Sequence, residues 1–234
     1  IQVPSLYLHQ VSEPHPLVIF GTGSVARLAY HQATQELGLK VTVFAVDARW
    51  RTEPQFLGIP VVDAESLAST HPPGQVSVFV AVGYRSMAKR ASAWRRIADA
   101  GWSTPSLISP RAHVAETVSI GANCFIMPGA VIEPGTTLGD NTIIWSNATI
   151  CHDSTIGGDN FFASNSTIGG EVKVGDRCFF GFSSTVLQQL TVGSDVLLGA
   201  AALLTTDAPS LGRYLGLPAR RCGEIDAMSG VCVH

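Results

Sequence analysis

Hydrophobic residues recur at every sixth position through the second half of the chain, with no insertion anywhere in the series. The residue two places before each of them is usually small, and the residue after it is often glycine. This repeat predicts a β-solenoid, in which stacked coils bury a core that one coil alone cannot bury. Three hexads close a triangular coil of eighteen residues, so residues eighteen apart are expected to stack. The apolar series is Ile108, Val114, Ile120, Ile126, Ile132, Leu138, Ile144, Ile150, Ile156, Phe162, Ile168, Val174, Phe180, Val186, Val192, Leu198 and Leu204.

The first hundred residues follow a different pattern, in which strand-like and helix-like segments alternate. Such an alternation predicts a parallel sheet with right-handed crossovers, which is a Rossmann-like α/β arrangement. We therefore expect a small α/β domain over residues 1–105 and the solenoid over residues 106–234. The predicted strands are Pro16–Gly23, Lys40–Asp47 and Gln75–Gly83, with a short strand and a helical turn in "GIPVVDAESLAST". The predicted helices are Ser24–Gly38 and Arg85–Gly101, and each ends at a glycine.

Composition excludes several classes of function. Of the 234 residues 46% are hydrophobic and 14% are charged, with a net charge of −3 and no block of like charge. These values argue against disorder and against a basic surface for nucleic acid. No apolar run approaches the roughly 20 residues that span a bilayer. We therefore expect neither a nucleic-acid partner nor a membrane partner.

The cysteines and the N-terminal segment indicate the compartment. The five cysteines are an odd number without a CxxC pair, which favours a reducing cytosol over a disulfide framework or a zinc site. The segment "IQVPSLYLHQVSEPHP" has no cationic start and no sustained apolar stretch, so no signal peptide is expected. The sequence thus predicts a cytoplasmic protein without a bound metal.

One solenoid segment, "TIIWSNATICHDSTIGGDN", contains three reactive residues side by side, Cys151, His152 and Asp153. His152 lies two places after the apolar Ile150, at a predicted corner, so its side chain is expected to point outward. Acyl transfer from a thioester needs a base of near-neutral pKa, and an adjacent carboxylate fixes the tautomer of the imidazole. The alternative is an exposed histidine without a function.

Cys151 raises the possibility of a covalent Cys-His mechanism. Neighbouring residues on a strand point to opposite faces, so adjacency in sequence does not pair the thiol with the imidazole. Cys124 and Cys178 occupy the small-residue position of their hexads, where packing explains them. We interpret all three cysteines as structural and expect direct acyl transfer.

A glycine-rich turn, "GTGSVA" at Gly21–Ala26, links the first predicted strand to the first predicted helix. Its glycines allow a close approach of the backbone to a ligand, and a helix start favours an anion. Asp47 ends the second strand at about the separation of a ribose-binding acid. NAD binding is one reading of this pattern, although the α/β region holds only about half of a full dinucleotide-binding fold.

The hexads resemble the left-handed parallel β-helix of the hexapeptide-repeat acyltransferases. The preceding α/β domain makes the chain resemble, more narrowly, the NeuD-like sugar O-acyltransferase family, which includes nucleotide-amino-sugar N-acetyltransferases. The resemblance covers nearly the whole chain from Leu17. The matching segments are "VIFGTGSVAR", Asp47, "VAVGYRSMAKR", "ICHDSTIGGDN", Gly169-Gly170 and "GLPARR".

The resemblance implies a role for each matching position. His152 is the implied base with Asp153 as its partner, and the N–H of Gly170, one coil above, stabilises the oxyanion. Acetyl-CoA is the implied co-substrate. The residues expected to bind it are Gly170, Gly181, Gly199, Ala200, Pro218, Arg220 and Arg221. Two alternatives remain open at these positions: the small residues are also explained by packing of the repeat, and the arginines are also explained as solvated surface residues. The residues expected to bind the nucleotide of a sugar substrate are Gly21, Thr22, Gly23, Asp47, Gly83 and Arg85.

The chain departs from the family at Phe161, where amino-sugar N-acetyltransferases of this family often carry a second histidine. The missing histidine bears on which acceptor is used, which acyl group is transferred, or both, and it does not remove His152 as the implied base. The leading hypothesis is N-acetylation of a nucleotide-linked amino sugar by a homotrimer whose sites lie between adjacent prisms, as the resemblance implies. The alternatives are O-acetylation of a sugar hydroxyl, an NAD-binding oxidoreductase and a non-catalytic solenoid scaffold.

Overall fold

The computed structural model describes residues 15–233. The expectation of no signal peptide concerns the N-terminal segment, which lies outside the described residues apart from its last two. The chain divides into two compact units, and the division does not follow the chain order. The first unit runs to Gly83 and includes Ala93–Pro110, whereas Tyr84–Ser92 joins the second unit, which continues from Arg111. None of the helices within the described range combines the length and the apolar character that a membrane span requires.

The first unit contains the α/β elements. Its strands are β1 Leu17–Phe20, β2 Val41–Val46, β3 Gln55–Phe56, β4 Ile59–Asp63, β5 Ser77–Val80 and β6 Leu107–Ile108. Helix α1 covers Ser24–His31 and continues as a π-helical turn over Gln32–Glu36, and α2 covers Leu67–Thr70. Short 3₁₀ turns lie at Ala48–Trp50 and Ala64–Ser66. Helix α3, Met87–Asp99, contributes residues to both units.

The main sheet of the first unit has the order β3-β4-β2-β1-β5. Strands β1, β2, β4 and β5 pair in parallel, which confirms the predicted parallel sheet. Their side chains are mostly buried on both faces, as expected when helices cover a sheet. The strand order reverses at β1, because β2 and β5 lie on its two sides.

Strand β3 was not predicted, and it pairs antiparallel with β4. The two strands are joined by Leu57 and Gly58, which both have positive φ (52° and 77°) as in a two-residue hairpin turn. The predicted glycine ends of the helices are both found, because Gly38 and Gly101 have φ values of 65° and 93°. The two helices thus end where the sequence indicated.

The second unit is built from two-residue strands at six-residue intervals. They are β7 His113–Val114, β8 Ser119–Ile120, β9 Phe125–Ile126, β10 Val131–Ile132, β11 Thr137–Leu138, β12 Ile143–Ile144, β13 Thr149–Ile150, β14 Thr155–Ile156, β15 Phe161–Phe162, β16 Thr167–Ile168, β17 Lys173–Val174, β18 Phe179–Phe180, β19 Thr185–Val186, β20 Thr191–Val192, β21 Leu197–Leu198 and β22 Leu203–Leu204. Two longer strands close the unit, β23 Gly212–Leu215 and β24 Arg220–Glu224.

The coil has the predicted length of eighteen residues. Val131 pairs with Thr149 and Ile132 with Ile150, and the same offset recurs along the unit. The three faces carry β7-β10-β13-β16-β19-β22, β8-β11-β14-β17-β20, and β9-β12-β15-β18-β21-β23-β24. From Ile126 onward the apolar residue of every hexad is buried. The unit is a left-handed parallel β-helix, which confirms the predicted fold.

The corners of the β-helix share a backbone conformation that the sequence analysis did not predict. Every sixth residue from Asn123 to Ala201 has a positive φ, and Asp153 belongs to this series with φ 56°. Asparagine, aspartate and glycine tolerate this left-handed region best, and they fill most of the series. The members are Asn123, Gly129, Gly135, Asn141, Asn147, Asp153, Asp159, Asn165, Glu171, Arg177, Ser183, Gln189, Asp195 and Ala201.

The segment Tyr84–Ser92 is bound to the β-helix within the second unit. The guanidinium of Arg90 is fully buried and donates to the carbonyl oxygens of Asn141 and Asn160. Burial lowers the pKa of Arg90 to about 10. The N–H of Met87 also donates to the carbonyl of Val231 at 3.1 Å. A charged residue of the predicted helix Arg85–Gly101 is therefore part of the core of this unit.

Candidate active site

The turn that carries His152 joins β13 to β14 and is fixed to the coils on both sides. The N–H of Asp153 donates to the carbonyl of Pro134 in the preceding coil at 2.9 Å. The carbonyl of His152 accepts the N–H of Glu171 from the following coil, also at 2.9 Å. The N–H of His152 donates to the side-chain Oε2 of Glu133 at 2.9 Å. The main chain of the turn is thus held in place, while the imidazole remains 54% exposed.

The imidazole of His152 is paired with the carboxylate of the next residue. Nδ1 lies 3.0 Å from Oδ2 of Asp153. In the tautomer whose Nδ1–H donates to this carboxylate, the lone pair is on Nε2 and available to accept a proton. The hydrogen bond to Asp153 is the main reason that the pKa of His152 is raised, and the charges of Asp153, Glu133 and Glu171 act in the same direction.

Gly170 lies beside the reactive nitrogen of His152, one coil further along. A Cβ at this position would be 2.6 Å from Nε2 and 2.7 Å from Cε1 of the imidazole. Any larger residue would therefore displace the ring. Within residues 15–233 the N–H of Gly170 has no hydrogen-bond acceptor, while its carbonyl accepts the N–H of Gln189 at 2.9 Å. The register prediction that Gly170 stacks on His152 agrees with this geometry.

Glu133 is a polar residue of this site that the sequence analysis missed. It lies nineteen residues before His152, so the eighteen-residue coil places it directly beneath the turn. An open groove of about 470 Å³ begins at the same turn, and its lining includes Asp153, Glu171, Lys173 and Gln189. The eighteen-residue repeat could have identified Glu133 from the sequence, because the same repeat identified Gly170.

The thiol of Cys151 lacks the properties of a nucleophile. Burial, with a contribution from the charge of Glu133, raises the pKa of Cys151, which keeps the thiol protonated. Burial also raises the pKa of Cys178 to about 12, in keeping with a packing role. These directions support the interpretation that the solenoid cysteines are structural.

Phe161 is nine residues after His152, which is half a coil, and it lies on a different face of the β-helix. Its ring is 3% exposed and packs within an aromatic cluster formed with Tyr84, Trp145 and Phe179. The ring centroids of these three residues lie 4.8, 5.3 and 5.2 Å from that of Phe161. Position 161 therefore has a packing role within one protomer.

The residues predicted to bind acetyl-CoA have close packing partners. A Cβ at Gly181 would lie 2.5 Å from the main-chain nitrogen of Ala200, and one at Gly199 would lie 2.2 Å from Cδ2 of Leu215. Packing against main-chain atoms therefore requires glycine at Gly181, whereas at Gly199 the close atom is the end of the exposed Leu215 side chain, which can move aside. In the closing segment the peptide bond before Pro218 is cis. Arg221 lies 3.6 Å from Glu224, whereas the guanidinium of Arg220 donates, among the described residues, to the carbonyl of Ala219 at 3.3 Å.

The predicted nucleotide-binding turn lies in the first unit. Gly21 has φ 129°, and a Cβ there would be 2.9 Å from the carbonyl oxygen of Ala81. A side chain at Gly23 or Gly83 would meet nothing within 4 Å, so those two positions stay open to a ligand. Thr22 is half-buried between the two glycines of the turn. Arg85 belongs to the second unit, so the six predicted residues do not all fall in one unit.

Asp47, the predicted ribose-binding acid, already has a partner. Its Oδ1 accepts a hydrogen bond from Nη2 of Arg96 at 2.6 Å, while its Oδ2 lies 3.9 Å from Arg49. The guanidinium of Arg96 also lies over the ring of Phe20, 5.1 Å from its centroid. Arg96 thus crosses the carboxyl ends of β1 and β2. No sequence pattern linked it to Asp47, because 49 residues separate the two.

A metal site was not expected. Within the described part of the chain, no group of three or more His, Cys, Asp or Glu side chains is arranged to hold a metal ion.

A left-handed β-helix of hexads, with a histidine–carboxylate pair beside a glycine, has the features expected of a hexapeptide-repeat transferase. The family model described as bacterial transferase hexapeptide (six repeats) matches residues 117–152, and the one described as hexapeptide repeat of succinyl-transferase matches residues 171–205. A search of curated proteins found no match. The first of these two matches ends at His152.

Solved structures similar to the chain extend over both units. PerB from Caulobacter crescentus, in complex with CoA and GDP-perosamine, is 30% identical with a TM-score of 0.80, covering 89% of this chain and 97% of its own. The acetyltransferase domain of PglB from Neisseria gonorrhoeae, in complex with acetyl coenzyme A, is 27% identical with a TM-score of 0.81, covering 89% and 99%. WeeI from Acinetobacter baumannii is 18% identical with a TM-score of 0.79, covering 88% and 99%, and shares the fold.

The chain therefore belongs to the hexapeptide-repeat sugar acyltransferases.

Proposed function

We propose that this protein transfers an acetyl group from acetyl-CoA to the amino group of a nucleotide-linked amino sugar, with His152 as the general base. The observation that carries the proposal is the geometry of the imidazole. Its Nδ1 is bound to Asp153 at 3.0 Å, and its Nε2 lies beside Gly170. Structures similar to this chain bind CoA together with GDP-perosamine, or acetyl coenzyme A, which supports both substrates.

In the proposed reaction the free amine adds to the carbonyl carbon of the thioester while Nε2 of His152 takes its proton. Asp153 stabilises the imidazolium as it forms, and the N–H of Gly170 donates to the developing oxyanion. The carbon–sulfur bond then breaks, and the imidazolium returns the proton to the departing sulfur. The products are the acetamido sugar and free CoA, so no covalent enzyme intermediate and no role for Cys151 are needed.

The charges around His152 favour an amine over a hydroxyl as the acceptor. The carboxylates of Asp153, Glu133 and Glu171 all raise the pKa of His152, so the field that they produce corresponds to a negative electrostatic potential at the imidazole. An amino sugar arrives in part as an ammonium ion, which such a field attracts, and it reacts after losing a proton. A neutral hydroxyl gains nothing from the same field.

We assign the nucleotide to the glycine turn and Asp47 in the first unit, and acetyl-CoA to the later coils and the closing segment around Pro218, Arg220 and Arg221. Gly23 and Gly83 leave space for a ligand, which supports the first assignment. All five cysteines are free, which supports the proposal of a cytoplasmic protein. We further propose a homotrimer, and light scattering that gives the mass of a monomer would contradict it.

The experiment that tests the function is mass spectrometry of reactions that contain acetyl-CoA and a panel of nucleotide-linked sugars. Each amino sugar is paired with a counterpart that carries a hydroxyl at the same carbon. We expect acetylation of an amino sugar and no product from its counterpart. Acetylation of the hydroxyl compounds alone would contradict N-acetylation, and tight binding of NADH without binding of acetyl-CoA would contradict acyl transfer.

A further inference from the structure

Trp50 is an exposed aromatic residue beside the predicted nucleotide site. Its exposure is 65%, the highest of the large hydrophobic residues described in the first unit. The other two indoles of this unit donate their N–H groups to the protein, Trp94 to Thr104 at 3.2 Å and Trp102 to the carbonyl of His71 at 2.9 Å. Within the described residues the indole N–H of Trp50 has no such partner. The guanidinium of Arg49 lies over the ring, and the rest of the indole is open to solvent and accessible to another molecule.

The turn that carries Trp50 makes hydrogen bonds within itself and to neighbouring residues, although the ring is exposed. The N–H of Trp50 donates to the carbonyl of Asp47 at 2.7 Å, which closes the 3₁₀ turn Ala48–Trp50. The N–H of Ala48 donates to Oε2 of Glu65 at 3.2 Å. One residue after Trp50 in the chain, Nη1 of Arg51 donates to both carboxylate oxygens of Asp63 at 3.3 Å. The indole is thus presented by a turn that is fixed at both ends, which limits the entropy lost on binding.

The turn follows the carboxyl end of β2, next to the point where the strand order of the sheet reverses. Ligands of open α/β sheets bind outside the carboxyl ends of the strands at such a point. A series of side-chain contacts connects Asp47, at the carboxyl end of β2, with the ring of Trp50. Arg96 binds Asp47, whose other oxygen faces Arg49, and the guanidinium of Arg49 lies 5.6 Å from the centroid of the Trp50 ring. The indole is therefore three residues beyond Asp47, the carboxylate assigned to the ribose.

We infer that Trp50 forms a stacking subsite for the base of a nucleoside diphosphate bound at Asp47. This inference rests on the proposed function and names the residue that contacts the base. The ring stacks on purines and pyrimidines alike, because every base has an aromatic face, so Trp50 supplies affinity without selecting one base.

The test is titration of GDP and of UDP into the parent protein, Trp50→Phe and Trp50→Ala, followed by calorimetry and by indole fluorescence. We expect both nucleotides to bind the parent and to quench its fluorescence. Trp50→Ala is expected to weaken binding about tenfold and to lose most of the quenching, while Trp50→Phe keeps most of the affinity. Acetyl-CoA affinity and the melting temperature stay unchanged. Met228→Ala is the control, because its side chain is 92% exposed and lies in the other unit.

The outcomes separate this inference from the proposed function. Equal affinity of Trp50→Ala and the parent for both nucleotides would overturn the subsite and leave the proposed function intact. A parent protein that binds neither nucleotide would overturn both. A changed oligomeric state of Trp50→Ala, with unchanged nucleotide affinity, would assign the ring to a contact between subunits and would also overturn the subsite.

Discussion

His152 in the β-helix and Asp47 in the α/β unit are both predicted site residues, but their surroundings arise in different ways. The partners of His152 are the next residue, the residue eighteen further along and one nineteen before it. The partner of Asp47 is Arg96, 49 residues away on a helix. In a solenoid the chain count fixes spatial neighbours, because each coil repeats the one before it. In an α/β unit the neighbours depend on how helices pack on the sheet, which no short spacing encodes.

The same difference separates the expected effects of mutations. Substitutions around His152 act on the proton and the oxyanion, so they are expected to lower kcat. Substitutions around Asp47 act on a ligand that binds before the chemistry, so they are expected to raise KM.

His152→Ala is expected to have the largest effect. Loss of a general base lowers turnover by about 10²- to 10⁴-fold, while the exposed side chain contributes little to folding. Turnover is measured with acetyl-CoA and the acceptor found in the mass-spectrometric panel, together with the melting temperature. His113→Ala is the matched control, because His113 is also an exposed histidine of the β-helix. Near-normal turnover of His152→Ala would contradict the assignment of the base.

Gly170→Ala is expected to lower kcat about a hundredfold, because its Cβ would lie 2.6 Å from Nε2 of His152 and push the ring aside. Steady-state kinetics, together with calorimetry of acetyl-CoA binding, distinguish an effect on turnover from an effect on acetyl-CoA affinity. Gly223→Ala is the control, because a Cβ at Gly223 meets nothing within 4 Å. If both alanine variants kept full turnover, the close contact between Gly170 and the imidazole would have no part in catalysis.

The pH profile tests the hydrogen bond between His152 and Asp153. A base must be neutral to act, so kcat/KM falls as the pH falls through the pKa of His152, and the raised pKa places this limb above the ordinary value of about 6.5. Asp153→Asn removes the main cause and is expected to move the limb to lower pH with about tenfold lower maximal activity. Glu133→Gln removes a smaller contribution to the pKa of His152 and is expected to move the limb less. A limb that stays in place in Asp153→Asn would show that this carboxylate does not set the pKa.

The β-helix could be predicted from sequence almost completely, because the hexads give both the register and the core. The left-handed φ at every sixth residue was harder to predict from the sequence. Asparagine, aspartate and glycine are expected at such positions, but some of them are occupied by Glu171, Arg177, Gln189 and Ala201. The buried Arg90 could not be predicted, because an arginine in an amphipathic helix is ordinarily solvated. Its environment depends on the segment Tyr84–Ser92 joining the second unit rather than the first.

The residues of the candidate site also differ in how far the sequence predicts them. His152, Asp153 and Gly170 follow from counting residues, and Glu133 was within reach of the same count. Phe179 stacks on Phe161 by the same eighteen-residue count. Arg96 and Tyr84 were not within reach, because no repeat relates their positions in the chain to those of Asp47 and Phe161. The cis peptide bond before Pro218 likewise has no signature in the sequence beyond the proline itself.

Arg96→Ala is expected to have the smallest effect and to act on binding alone. The ion pair with Asp47 is partly exposed, with Arg96 at 52% and Asp47 at 18%, so its loss costs little stability. Without Arg96 the carboxylate loses the group that orients it, and KM for the nucleotide-linked acceptor is expected to rise about fivefold with kcat unchanged. Arg96→Lys keeps the charge but not the planar contact over Phe20, so an intermediate KM is expected. A fall in kcat with unchanged KM would show that the α/β unit takes part in the chemical step, and the division between the two regions would be wrong.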